Sequence, residues 1–117
     1  MRVVLDTNTV VSGFLRDNEP RAIVDAAIDV RIELFTCAAL IVELAGVLAR
    51  QMFAKRLAEK QLSISAIVER YRVLADSVEP AILSGPVSRD PDDDIVLATA
   101  LAANAELIVS RDKHLRN

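Results

Sequence analysis

Four acidic positions carry the chemistry that this sequence suggests. Asp6 closes the apolar run Arg2 to Leu5, and Asp112 closes a second run, ELIVS at Glu106 to Ser110. Glu43 and Asp94 fall inside stretches of helical periodicity. An acid directly behind a buried parallel strand stands at the strand's carboxyl end, where open α/β sheets place their sites. Asp6 has a competing reading as the N-cap of the helix that follows it. Asn8, closer to the start of that helix, is a candidate for the capping, which would leave the Asp6 carboxylate open at the sheet edge.

The run Asp90-Pro91-Asp92-Asp93-Asp94 is mostly helix-start chemistry. Asp90 suits the N-cap, Pro91 the first helical position, and Asp92 and Asp93 complement the positive end of the helix dipole. Asp94 fits that account less well. At about 100° per residue it shares a sector with Leu97, Ala98, Leu101 and Ala105, the stripe expected to face the sheet. Glu43 falls on the shoulder of the stripe made by Leu40, Leu44 and Val47, and alone it reads as a surface residue; Asp112 alone reads equally well as a turn residue. Together, converging carboxylates disfavour one another's ionisation, and such a cluster is stable at neutral pH mainly around a divalent ion. All-oxygen ligation suits Mg²⁺ or Mn²⁺, ions that commonly act on phosphate esters.

Other chemistry is weaker or excluded. The single Cys37 makes no intramolecular disulfide, and with one His114 it builds no usual zinc site. Cys37 at a helix start reads as a buried structural thiol, and His114 as a tail residue. Ser12, Ser110 and Thr7 have no partner in a nucleophile pattern, and neither a P-loop nor a G-x-S-x-G motif occurs. Arg50, Lys55, Arg56 and Lys60 are candidates to rim a polyanion site, against the commoner reading of a solvated helix face. The formal net charge of −3 excludes a protein coated in positive charge, and the 3% aromatic content argues against base-stacking platforms.

The elements that must position these residues follow from the pattern. With 117 residues, 52% of them hydrophobic, the chain is long enough for one compact domain, residues 1–117, and too short for two. Strand, polar turn and helix succeed one another at Arg2 to Leu15. A second helix is expected from Pro20 through Val30, a strand at Ile32 to Phe35, and a long helix from about Cys37 to Met52 capped by Thr36. A basic helical segment covers Lys55 to Lys60, another helix Ser63 to Ala75, and a weak strand Ser77 to Glu79. A loop at Pro80 to Pro86 leads to the helix ending at Ala103 and the strand Glu106 to Ser110. Alternating strands and helices predict a three-layer α/β/α sandwich with a central parallel sheet. No signal peptide or membrane span is evident, so a soluble, cytoplasmic protein is expected.

VVLDTNTVVSGFL at the start, the helix carrying Glu43, SRDPDDDIVLATALA and LIVSRDKHL resemble the PIN domain, in the VapC-like subgroup of toxins from type II toxin–antitoxin modules. The resemblance covers essentially the whole chain. It implies that Asp6, Glu43, Asp94 and Asp112 are the catalytic and metal-binding acids, with Asn8 and Ser110 in support. It implies a metal-dependent, single-strand-selective endoribonuclease whose Mg²⁺ or Mn²⁺ activates a water for in-line hydrolysis, leaving a 3′-hydroxyl and a 5′-phosphate. RNA is then the substrate, an antitoxin protein the partner, and a homodimer the assembly.

The chain departs from the subgroup's pattern by stopping at Asn117, whereas members usually continue past the last acid. A chain cut short there would expose a sheet edge and favour dimerisation. Two other readings stand beside the nuclease. One is a haloacid dehalogenase-like phosphatase with Asp6 as nucleophile, although Asn8 replaces the second acid of its D-x-D motif. The other is a catalytically silent PIN-like module that binds a partner through apolar helical surface around Ile95, Val96 and Leu97.

Overall fold

Val3, Val4 and Leu5 are all buried, so the strand β1 (Arg2–Leu5) is covered on both faces, as its unbroken apolar text requires. A computed structural model describes residues 1–15, 25–27, 29, 31–85 and 91–110. In it β1 pairs in parallel with β2 (Glu33–Thr36) in the register Val3 to Leu34 and Val4 to Phe35. A third strand, β3 (Ala75–Ser77), extends the sheet beyond β2. The chain then returns to the opposite side of β1 with β4 (Leu107–Val109), which sets Leu5 against Val109. The order is β3-β2-β1-β4, all parallel.

Alternation along the strands divides the core into two layers. Val3, Leu5 and Leu34 face α1 (Thr7–Leu15), α2 (Ala38–Leu48) and α4 (Ile64–Leu74), meeting Val10, Phe14, Leu44, Leu48, Ile67 and Tyr71. Val4 and Phe35 face the other way, against Val96, Ala100 and Ala103 of α5 (Pro91–Ala103). Burying each large apolar side chain contributes about 1.5–3 kcal/mol, and a strand covered on both faces holds its register because a slip would disturb both layers at once. The architecture is the three-layer α/β/α sandwich with a central parallel sheet. Among the described residues no helix is long and apolar enough to cross a membrane.

Arg2, the first residue of β1, donates from Nη1 to the carbonyl of Ala103 at 3.0 Å. The last turn of α5 therefore lies beside the amino end of β1. A helix of 13 residues rises roughly 20 Å, which carries its first turn, with Asp93 and Asp94, to the carboxyl end of the sheet.

Several boundaries differ from expectation for local reasons. Thr36 ends β2 instead of capping α2; Cys37 takes the N-cap position in extended conformation without a side-chain cap bond. α2 stops at Leu48, short of the expected end at Met52, and a 3₁₀ turn (Gln51–Phe53) leads to α3 (Ala54–Glu59), with Gln51 exposed. Ser63 does cap α4, accepting from the Ala66 N–H at 3.1 Å. The weak strand falls at Ala75–Ser77, two residues earlier than expected, because Leu34 to Thr36 of β2 are its pairing template. Of the helix expected at Pro20 to Val30, only residues 25–27 are described, and they are helical. Asp90, the expected cap of α5, lies outside the described residues.

Candidate active site

The strand order places β1 between two elements reached by connections running in opposite directions, β2 and β4. Such a switch point opens a crevice at the carboxyl ends of the strands. Asp6 stands there, buried at 6% exposure. Its backbone N–H bonds to the Val109 carbonyl at 3.1 Å, continuing the ladder one residue past the strand.

The Asp6 carboxylate has two jobs, which corrects the expectation that Asn8 would cap and leave it open. Oδ1 accepts the Thr9 N–H at 2.8 Å, making Asp6 itself the N-cap of α1. Oδ2 accepts the Ser110 hydroxyl at 2.6 Å, across 104 positions of sequence. Among the described residues its carboxylate is bonded only by neutral donors. An ionised carboxylate offers about four lone-pair sites, so both bonds leave acceptor capacity for a cation.

Asn8 is the exposed residue of α1, whose other positions are all buried. Thr7, which showed no role in the sequence, donates its hydroxyl to Glu43 Oε1. That bond draws a half-buried acid from the middle of α2 against the N-terminus of α1, next to Asp6. No local pattern could reveal the pair, since 36 positions separate its members.

On α5 the stripe facing the sheet differs from the one expected. Asp93, Val96, Ala100 and Ala103, spaced by three, four and three, are buried, whereas Leu101 is 63% exposed. Asp93 is 5% exposed and Asp94 is half-buried on the flank. Packing against Val4 and Phe35 selects this rotation of the helix. Asp112 lies outside the described residues. Among the described residues no three acidic, histidine or cysteine side chains meet closely enough to hold a metal ion.

Beneath the site lies Tyr71 of α4, 2% exposed and edge-on to Phe14 with ring centroids 6.4 Å apart. Its hydroxyl is buried with no hydrogen-bond partner among the described residues. Burial raises its pKa far above the usual 10.0, and the negative charge of Asp6 adds to the shift. Above pH 10.0 the folded phenol keeps a proton that the unfolded one loses, so stability falls as pH rises past that value. Tyr71→Phe is expected to flatten this alkaline decline. It should also leave stability at neutral pH unchanged or about 1 kcal/mol higher, since a buried unmet hydroxyl is costly. Thermal melts across the alkaline range check both.

The basic positions separate. Arg50 precedes the 3₁₀ turn and is exposed, as is Lys55, while Lys60 is half-buried at the end of α3. Arg56 turns back to α1, its Nε donating to the Leu15 carbonyl at 2.7 Å. Cys37 is fully buried and receives the Thr99 hydroxyl at 3.3 Å, a structural thiol. His114 lies outside the described residues.

The sequence profile of the PIN domain matches residues 2–114. The chain belongs to the PIN domain family. No curated protein and no solved structure gives a significant match. Membership displaces the haloacid dehalogenase-like alternative. A PIN domain has a nuclease-type fold, PIN domains are generally phosphodiester hydrolases, and those nucleases typically use divalent metals.

Proposed function

We propose that this PIN domain is a metal-dependent endoribonuclease that hydrolyses single-stranded RNA. The observation that carries the reading is the Asp6 carboxylate, buried at the switch point of the sheet and bonded only by neutral donors among the described residues. A buried charge needs a compensating partner, and a hard divalent ion suits an oxygen-only donor set. Asp6 and Glu43 would hold it, with an acid from the first turn of α5 and Asp112. Burial favours Asp93 over Asp94 as the α5 ligand. Bound Mg²⁺ or Mn²⁺ supplies a water of lowered pKa and positive charge against the phosphate.

The chain's own residues orient this site. Ser110 fixes one Asp6 oxygen, the Thr9 N–H fixes the other, and Thr7 tethers Glu43. Ligands locked by hydrogen bonds from behind keep their geometry when substrate binds. The same reading extends to the toxin of a type II toxin–antitoxin module, with an antitoxin protein as its partner and a homodimer as its assembly.

The test is cleavage of an unstructured fluorogenic RNA. Activity should vanish after EDTA treatment and return with Mn²⁺. At about 100 times its dissociation constant the ion should also stabilise the fold by about 2.7 kcal/mol. Cleavage that persists in EDTA, or none with any divalent ion, would overturn the proposal.

A further inference from the structure

Beside the acids lies a cavity of about 410 Å³ between α1 and the turn that follows α2. Asn8 and Ser12 line one wall, Met52 and Phe53 the other, and Leu15 and Arg56 the far end. Asn8 stands two residues from Asp6, and α1 rises roughly 10 Å from Asn8 to Leu15. The cavity thus runs from the candidate active site to a guanidinium.

That guanidinium is held in place. Its Nε is committed to the Leu15 carbonyl, while the side chain remains 45% exposed and, among the described residues, its terminal nitrogens make only a long contact of 3.8 Å with Glu59. An exposed i,i+3 ion pair of this length contributes little. An arginine anchored through Nε presents its two terminal nitrogens as a fork, the geometry that meets phosphate oxygens in pairs. The near end offers different chemistry. A carboxamide both donates and accepts, as base edges do, and Phe53 with Met52 gives an aromatic and a polarisable apolar wall against which a base can lie.

We propose that this cavity is a nucleotide subsite of the single-stranded RNA, its base between Asn8 and Phe53 and its flanking phosphate on Arg56. The assignment rests on the nuclease reading for its choice of ligand, and singles out Arg56, anchored on the Leu15 carbonyl, as the cation that lines this cavity. It makes the reach of the enzyme along RNA longer than the scissile bond itself.

Binding of a labelled, mixed-sequence, single-stranded RNA oligonucleotide, followed by fluorescence anisotropy in EDTA, tests the subsite without any cleavage. Arg56→Gln is expected to weaken binding about tenfold, the scale of one charge-assisted hydrogen bond to phosphate. Asn8→Ala, at an exposed position that caps nothing, is expected to weaken it several-fold and covers the case in which Arg56→Gln fails to fold. Wild-type affinity in either folded variant, or no binding by the wild-type chain, overturns the proposal. Cleavage with Mn²⁺ is scored separately, so a chain that binds through these residues but does not cut sinks the nuclease reading and leaves the subsite standing.

Discussion

Asp6→Asn is expected to reduce RNA cleavage by about 10³-fold, the scale on which a preorganised charge-stabilising group is lost, while the fold survives. Asparagine equals aspartate as an N-cap, so its Oδ1 keeps the bond from the Thr9 N–H. On the other side an amide nitrogen replaces Oδ2, and the Ser110 hydroxyl, now a donor, becomes an acceptor. Shape and both bonds persist while the charge goes. Circular dichroism melts should fall within about 1 kcal/mol of wild type. Expression of the wild-type chain should arrest growth where the variant does not, if the toxin role holds. Cleavage at the wild-type rate would remove Asp6 from the reaction.

The second large effect separates two neighbours. Asp93→Asn is expected to lower cleavage as far as Asp6→Asn, whereas Asp94→Asn should keep activity within about tenfold, the effect of a residue that acts from behind a ligand. Both sit in the first turn of α5, where an acid contributes about 0.3–1 kcal/mol through the helix dipole, so the stability costs should match. Only the direction of the side chain differs. Asp93 continues the stripe of Val96, Ala100 and Ala103 that packs on the sheet, and Asp94 lies on its flank. Parallel kinetics of the two variants decide the matter, and the reverse pattern would return the role to Asp94.

The ambiguity between these neighbours shows where sequence reading stops. β1 and its acid were legible because an apolar, β-branched run ending at a carboxylate has few other places to go than the middle of a parallel sheet. The layers followed from the alternation of elements. The phase of α5 was not legible, since Ile95, Val96 and Leu97 make it apolar nearly all round and three consecutive aspartates offer an acid to each neighbouring rotation. Only packing against Val4 and Phe35, with Arg2 reaching Ala103, fixes the rotation and direction. The cap of α1 was misplaced because Asp6 and Asn8 both suit an N-cap and helix starts are uncertain by a residue or two. The Thr7 tether to Glu43 and the Arg56 anchor on Leu15 join distant segments, so no periodicity reports them.

The bond from Ser110 to Asp6 has a temporal meaning as well as a spatial one. Its partners stand 104 positions apart, and β4 meets β1 only when a stretch of similar length has been gathered in. Closing so long a loop is entropically slow, and pairings of this separation form late in folding. During synthesis Asp6 emerges 104 residues ahead of the serine that completes its surroundings. The orienting bond at Asp6 is therefore among the last contacts of this sheet to form, well after the Thr9 cap on the same carboxylate, which needs only the neighbouring turn.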